Sequence, residues 1–237
     1  MQGIKERLIV ALDVDNLDRA KDLVGALYPT VKLFKIGSQL FTACGPKAIE
    51  MVANIGAQVF LDLKFHDIPN TVKSAAATAT SLNFQSTGKD PAVFMITVHT
   101  VGGKQMLEAA VRGAKDKAEE LKVKRPLIVG ITVLTSDNPG ANTAETVLER
   151  AGWAKDAGLD GVVCSVLEAE AVRKSFGKDF IIVTPGIRPK DANTQDQKRV
   201  ATAGEAIKSG ATFIVVGRPI LEAQDPLRQA KNLLSEL

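Results

Sequence analysis

The chain has 237 residues, 45 % of them apolar and 24 % charged, the balance of a soluble globular protein with a sizeable core. A formal net charge of +3 is too small to point to nucleic acid or a membrane surface, and no run of about 18 apolar residues offers a transmembrane span. Cys44 and Cys164 are far apart with no histidine near either, which argues against a disulfide framework or a zinc site, and the start MQGIKERLIVALD runs into a strand rather than a signal peptide, so a cytoplasmic, reduced protein is expected.

Along the chain, strand patterns fall at 8–13, 32–36, 59–64, 94–99, 127–133, 161–165, 180–184 and 213–217. Amphipathic helical stretches follow them at 17–27, 39–54, 71–82, 104–121, 143–157, 168–176, 198–208 and 219–234. Asn16 and Asn142 stand at capping positions, and Gly56, Gly158 and Gly210 follow helices. Eight strands alternating with eight helices, with no linker or low-complexity tract, predict one α/β domain over 1–237, a (β/α)₈ TIM barrel. A doubly wound open sheet is disfavoured, because polar residues recur at the same end of nearly every strand and no G-x-G-x-x-G follows the first. The loop 83–92 lengthens a helix-to-strand connection, on the face of a barrel that serves stability. The polar loop 189–197 follows strand seven, on the face where barrel active sites form, and is the better candidate for a lid.

Strand one ends in Asp13, with Ile9 and Ala11 on the same face; strand two carries Leu33 and Lys35 on one face. The third strand opens the stretch LDLKFHDIPNTV, in which alternation sends Asp62 and Lys64 one way and Leu61, Leu63 and Phe65 the other. Pro69 then suits a first helical position, with Asn70 and Thr71 beside that helix start. An isolated D-x-K is usually a solvated surface pair. Here three consecutive strands deliver Asp, Lys, Asp and Lys to one rim, where each charge needs a partner. A structural ion cluster is the alternative to a reactive one. At the other side of the mouth, strand seven runs into TPGIRP with Gly186 and Arg188, and strand eight into Gly217-Arg218-Pro219. Glycine admits a backbone amide to an anion and arginine offers a two-pronged donor, so a small phosphate monoester is the expected ligand. Thr135 and Ser136 end strand five, where their hydroxyls either meet a neutral polar ring or cap a turn. His66 and His99 read as structural, and Gly102-Gly103-Lys104 lacks the flanking pattern of a P-loop.

Taken together these residues resemble the bacterial type of orotidine 5′-phosphate decarboxylase family. The match runs over essentially the whole chain: ALDVD at the first strand, FKIG at the second, DLKFHDIPNTV at the third, VLTS at the fifth, TPGIRP at the seventh and VVGRPI at the eighth. The resemblance implies a TIM barrel that pairs as a homodimer with shared sites, needs no metal or organic cofactor, and has neither nucleic-acid nor membrane partners. It further implies conversion of orotidine 5′-monophosphate to uridine 5′-monophosphate and CO₂, the last step of de novo UMP synthesis. Carried over by position, Lys64 donates the proton, Asp62 lies beside the substrate carboxylate, and Asp13 and Lys35 contact the ribose and hold the charge row. Asp67 and Thr71 enter the neighbouring subunit's site. Arg188, Gln197, Gly217 and Arg218 grip the phosphate, and Thr135 and Ser136 meet the pyrimidine edge or the ribose. The insertion around 85–90 is longer than the pattern leads one to expect. Two other readings compete: a metal-dependent decarboxylase of the 3-keto-gulonate 6-phosphate type, which shares D-x-K-x-x-D, and a phosphate-binding barrel without catalysis. The IPNTV continuation disfavours the first; intact Asp13, Lys35, Asp62, Lys64 and Asp67 disfavour the second.

Overall fold

The computed structural model describes residues 6–82, 91–134, 143–188 and 201–237. Eight parallel strands close on themselves in sequence order: β1 (Leu8–Ala11), β2 (Leu33–Gly37), β3 (Gln58–Phe65), β4 (Val93–His99), β5 (Leu127–Ile131), β6 (Gly161–Val163), β7 (Ile181–Thr184) and β8 (Phe213–Val216), with β8 returning to β1. The expected (β/α)₈ barrel is therefore the observed fold. Its strands are largely apolar because both faces are covered, with Lys35, Asp62, Lys64 and Thr97 among the polar exceptions. Ile9, Phe60, Val129, Val183 and Phe213 point into the barrel, while Leu8, Val10, Phe34 and Ile36 pack outward under the helices.

The helices are α1 (Leu17–Leu27), α2 (Ser38–Cys44), α3 (Lys47–Ala53), α4 (Pro69–Ser81), α5 (Lys104–Leu121), α6 (Thr143–Asp156), α7 (Val166–Phe176), α8 (Ala203–Lys208), α9 (Arg218–Leu221) and α10 (Pro226–Ser235). Asn16 caps α1 as expected, accepting from the N–H groups of Asp18 and Arg19 at 2.9 and 3.1 Å. Pro69 opens α4 where its missing N–H costs nothing. The stretch expected as one helix at 39–54 is two, broken at Gly45-Pro46, where Gly45 takes φ 58°. The stretch at 219–234 also divides, because Asp225 caps a fresh helix that begins at Pro226. A side chain at Gly113 would come 2.1 Å from the Lys73 carbonyl, so glycine is what lets α4 and α5 approach. The capping position Asn142, residues 198–200 of the expected helix at 198–208 and residues 83–90 of the 83–92 loop lie outside the described residues. Among those described, no helix is long and apolar enough to cross a membrane.

A clamp ties β5, β6 and β7 together at their N-terminal ends. Arg125 grips Asp160 through two bonds of 2.7 and 2.9 Å, and Asp160 also accepts the Ile128 N–H at 2.7 Å. Its own backbone bonds to Ile128 O and Ile181 N. Asp160→Ala removes three charge-assisted bonds and is expected to cost about 2–3 kcal/mol, lowering the melting temperature of a domain of this size by about 5–10 °C in a thermal melt.

Candidate active site

At the C-terminal ends of the strands lies a cavity of about 260 Å³. Its floor is apolar, from Ala11, Phe60, Ile131, Val163, Val183 and Val215, and its rim is charged. Strand position decides which side chains arrive there. Asp13 follows β1 directly, Lys35 points inward from β2, and Asp62 and Lys64 come from β3. Their charges alternate along one wall: Lys35 Nζ lies 2.9 Å from Asp13 Oδ1 and 3.6 Å from Asp62 Oδ2, and Lys64 Nζ lies 2.8 Å from that same Oδ2. The two central members are the more sheltered, with side chains 13 % (Lys35) and 11 % (Asp62) exposed against 47 % for Asp13. Held in this way, neither Asp62 nor Lys35 is a bare charge away from water. Gly37 serves the row as well, because a Cβ there would come 3.0 Å from Lys35 Nζ.

Simple alternation predicted that Asp62 and Lys64 share a face, and they do, but not through a regular strand. The β3–β4 register slips between Leu61 and Phe65, and Lys64 sits at φ 53°, a left-handed conformation rare for a residue with a side chain. Thr97 of β4 holds the bulge: its hydroxyl accepts the Lys64 N–H at 2.8 Å and donates to Asp62 Oδ1 at 3.0 Å. Sequence reading missed Thr97. A polar residue inside the apolar run FMITVH, on an inward position, was the available signal.

The same cavity is lined by Gly186, Arg188, Gly217 and Arg218, the residues of the two Gly/Arg/Pro turns after β7 and β8, with Gly217 beside Asp13. Arg188 is buried and donates to the Ile187 carbonyl at 3.1 Å. A parallel bridge of Ile187 with Ala201, with the Arg188 N–H on Ala201 O at 2.9 Å, brings the two ends of the 189–200 stretch side by side. Gly217 is the residue before α9, and Arg218 is that helix's first. Asp67 and Thr71 do not line the cavity of their own chain: both are exposed, and Asp67 Oδ1 accepts the Ile68 N–H at 2.6 Å. Thr135, Ser136 and Gln197, together with the 189–197 loop, lie outside the described residues. The described residues hold no group of three or more His, Cys, Asp or Glu placed to bind a metal ion.

Residues 6–233 match the family model described as "Orotidine 5'-phosphate decarboxylase / HUMPS family". The chain belongs to this family. It is 43 % identical to orotidine 5′-phosphate decarboxylase of Syntrophomonas wolfei, with 98 % of each chain covered. It is 44 % identical to that of Moorella thermoacetica, covering 98 % of this chain and 92 % of the relative. The crystal structure of orotidine 5′-phosphate decarboxylase from Lactobacillus acidophilus superposes with a TM-score of 0.82 at 35 % identity, 98 % of each chain covered.

His99 ends β4, outside the lining of that cavity. Burial lowers its pKa below the ordinary 6.5, and the His66 ring, 5.7 Å away between centroids, and the Lys64 ammonium push the same way. A base with a lowered folded pKa stays neutral in the native state while the unfolded chain takes up the proton. Its contribution to stability is therefore present above about pH 6.5 and is lost as the pH falls below that value towards the folded pKa. Thermal melts between about pH 7.5 and 5 should show a falling midpoint on acidification, and His99→Gln should flatten the part of that fall that begins near 6.5.

Proposed function

We propose that this protein decarboxylates orotidine 5′-monophosphate to uridine 5′-monophosphate and CO₂, the closing step of de novo UMP synthesis, with Lys64 as the proton donor. The observation that carries the reading is the alternating row Asp13–Lys35–Asp62–Lys64 lining a cavity that Arg188, Gly217 and Arg218 also line. Breaking the bond from C6 to the carboxylate leaves its electron pair on C6, in an orbital the pyrimidine cannot delocalise. The Lys64 ammonium stabilises that charge and then gives up a proton to C6, and the amine is reprotonated from solvent. At about 4 Å and an effective dielectric near 20, such a charge pair is worth roughly 4 kcal/mol, about three powers of ten in rate. The rest comes from the preorganised row and from binding energy at the phosphate, which Arg188, Gln197, Gly217 and Arg218 supply. Thr135 and Ser136 address the pyrimidine or ribose, and Asp13 and Lys35 the ribose hydroxyls.

The same reading makes the active form a homodimer. Asp67 and Thr71 are exposed beside their own mouth, and the neighbouring Ile68 and Val101 leave 67 % and 43 % of their surface open, large apolar groups for a second copy to cover. Asp67 and Thr71 then complete the partner's site.

A metal-dependent sugar-phosphate decarboxylase on this barrel fits the donor set poorly: the rim carboxylates Asp13 and Asp62 are already paired with ammonium groups, and a lysine repels a cation. Following the loss of orotidine 5′-monophosphate absorbance, with and without a strong chelator, separates the readings. Turnover that is unchanged by the chelator is expected; absence of turnover on this nucleotide overturns the proposal.

A further inference from the structure

We infer that Thr97 is a positioning residue that sets the reach of Lys64; the inference rests on the reading of Lys64 as proton donor. Between the paired positions Leu61↔Ile96 and Phe65↔Val98, three residues of β3 (Asp62, Leu63 and Lys64) face a single residue of β4, Thr97. A ladder cannot form there, and the backbone must find other partners. Thr97 is fully buried, and its hydroxyl has one proton to give. Because Oγ1 accepts the Lys64 N–H at 2.8 Å, its proton is directed to Asp62 Oδ1 at 3.0 Å. Asp62 Oδ2 in turn receives Lys64 Nζ at 2.8 Å. The three bonds form a ring that starts on the Lys64 backbone and ends on the Lys64 ammonium.

That closure does two things at once. It holds the left-handed Lys64 backbone, φ 53°, which an unassisted chain would leave for an ordinary extended conformation. It also fixes the plane of the Asp62 carboxylate, so that one oxygen is engaged by Thr97 and the other is left for the two lysines. Displacing a reacting group by about 1 Å can cost about a hundredfold in rate. The hydroxyl is thus required by the geometry of the proton donor, while the phosphate contacts come from residues that follow β7 and β8, outside this ring.

Thr97→Val keeps the branched shape and deletes both bonds; Thr97→Ser keeps the hydroxyl and deletes a methyl. For Thr97→Val, kcat on orotidine 5′-monophosphate is expected to fall about tenfold to hundredfold, with KM and uridine 5′-monophosphate affinity within about twofold of the parent. Thr97→Ser should stay within about threefold of the parent in kcat. A valine variant that turns over within about twofold of the parent, a loss expressed wholly in KM, or equal losses for valine and serine would each overturn the inference. Thr97→Ala carries the same expectation if the valine variant does not fold, and failure of both to fold would place the hydroxyl's task in folding and overturn it as well. The parent chain is assayed in the same series: a parent without turnover would bring down the proposed function, whereas an active parent with an equally active valine variant would bring down this inference alone.

Discussion

Lys64→Ala is expected to lower turnover by at least about 10⁴-fold while uridine 5′-monophosphate still binds. The electrostatic contribution of the ammonium accounts for about three powers of ten, and loss of the proton donor adds to it within the usual range for general acids, about 10²–10⁴. The variant should remain folded. Asp62 keeps Lys35 at 3.6 Å and the Thr97 hydroxyl at 3.0 Å, so removing Lys64 does not strand a sheltered carboxylate. Binding should survive because Arg188, Gly217 and Arg218 follow β7 and β8, strands that do not neighbour the β3 that carries Lys64. Single-turnover absorbance measurements paired with calorimetric titration of the product read the two quantities separately. Turnover within about tenfold of the parent would remove Lys64 from the chemistry.

Mixing Lys64→Ala and Asp67→Ala subunits, each inactive alone, is expected to recover activity. In a hybrid dimer, the subunit carrying Asp67→Ala keeps its own Lys64 and borrows the partner's Asp67. With random exchange of a one-to-one mixture, half the dimers are hybrids with one complete site in two, so recovery should approach about a quarter of parental activity. The geometry motivates the test: Asp67 is exposed, lies outside its own cavity, and spends one oxygen on the Ile68 N–H at 2.6 Å. Native mass spectra that show the hybrid dimer, with no recovered turnover, would make each site complete within one chain and leave Asp67 a loop residue.

The barrel was legible from periodicity because each strand is short, apolar and followed by a helical pattern, and covered parallel strands leave no other use for such runs. The boundaries were less legible. Nothing in the run 39–54 announces a break except Gly45-Pro46, and Asp225-Pro226 reads as helix interior until the preceding α9 is seen to stop. In the site, Asp13, Lys35, Asp62, Lys64, Arg188, Gly217 and Arg218 were all found by asking which residues end strands, since a barrel brings those ends to one opening. Thr97 was not, because a buried threonine in an apolar strand is ordinary until its neighbour on β3 is known.

The order of residue types along this chain indicated which side chains reach the mouth, because the strand period is local and alternation of short apolar strands with helices leads to parallel closure. Tertiary structure settled how they are held. The slip between β3 and β4, the left-handed Lys64 and the hydroxyl that bridges it to Asp62 arise only when two strands of different local length are forced into one ladder, a mismatch that neither strand records by itself.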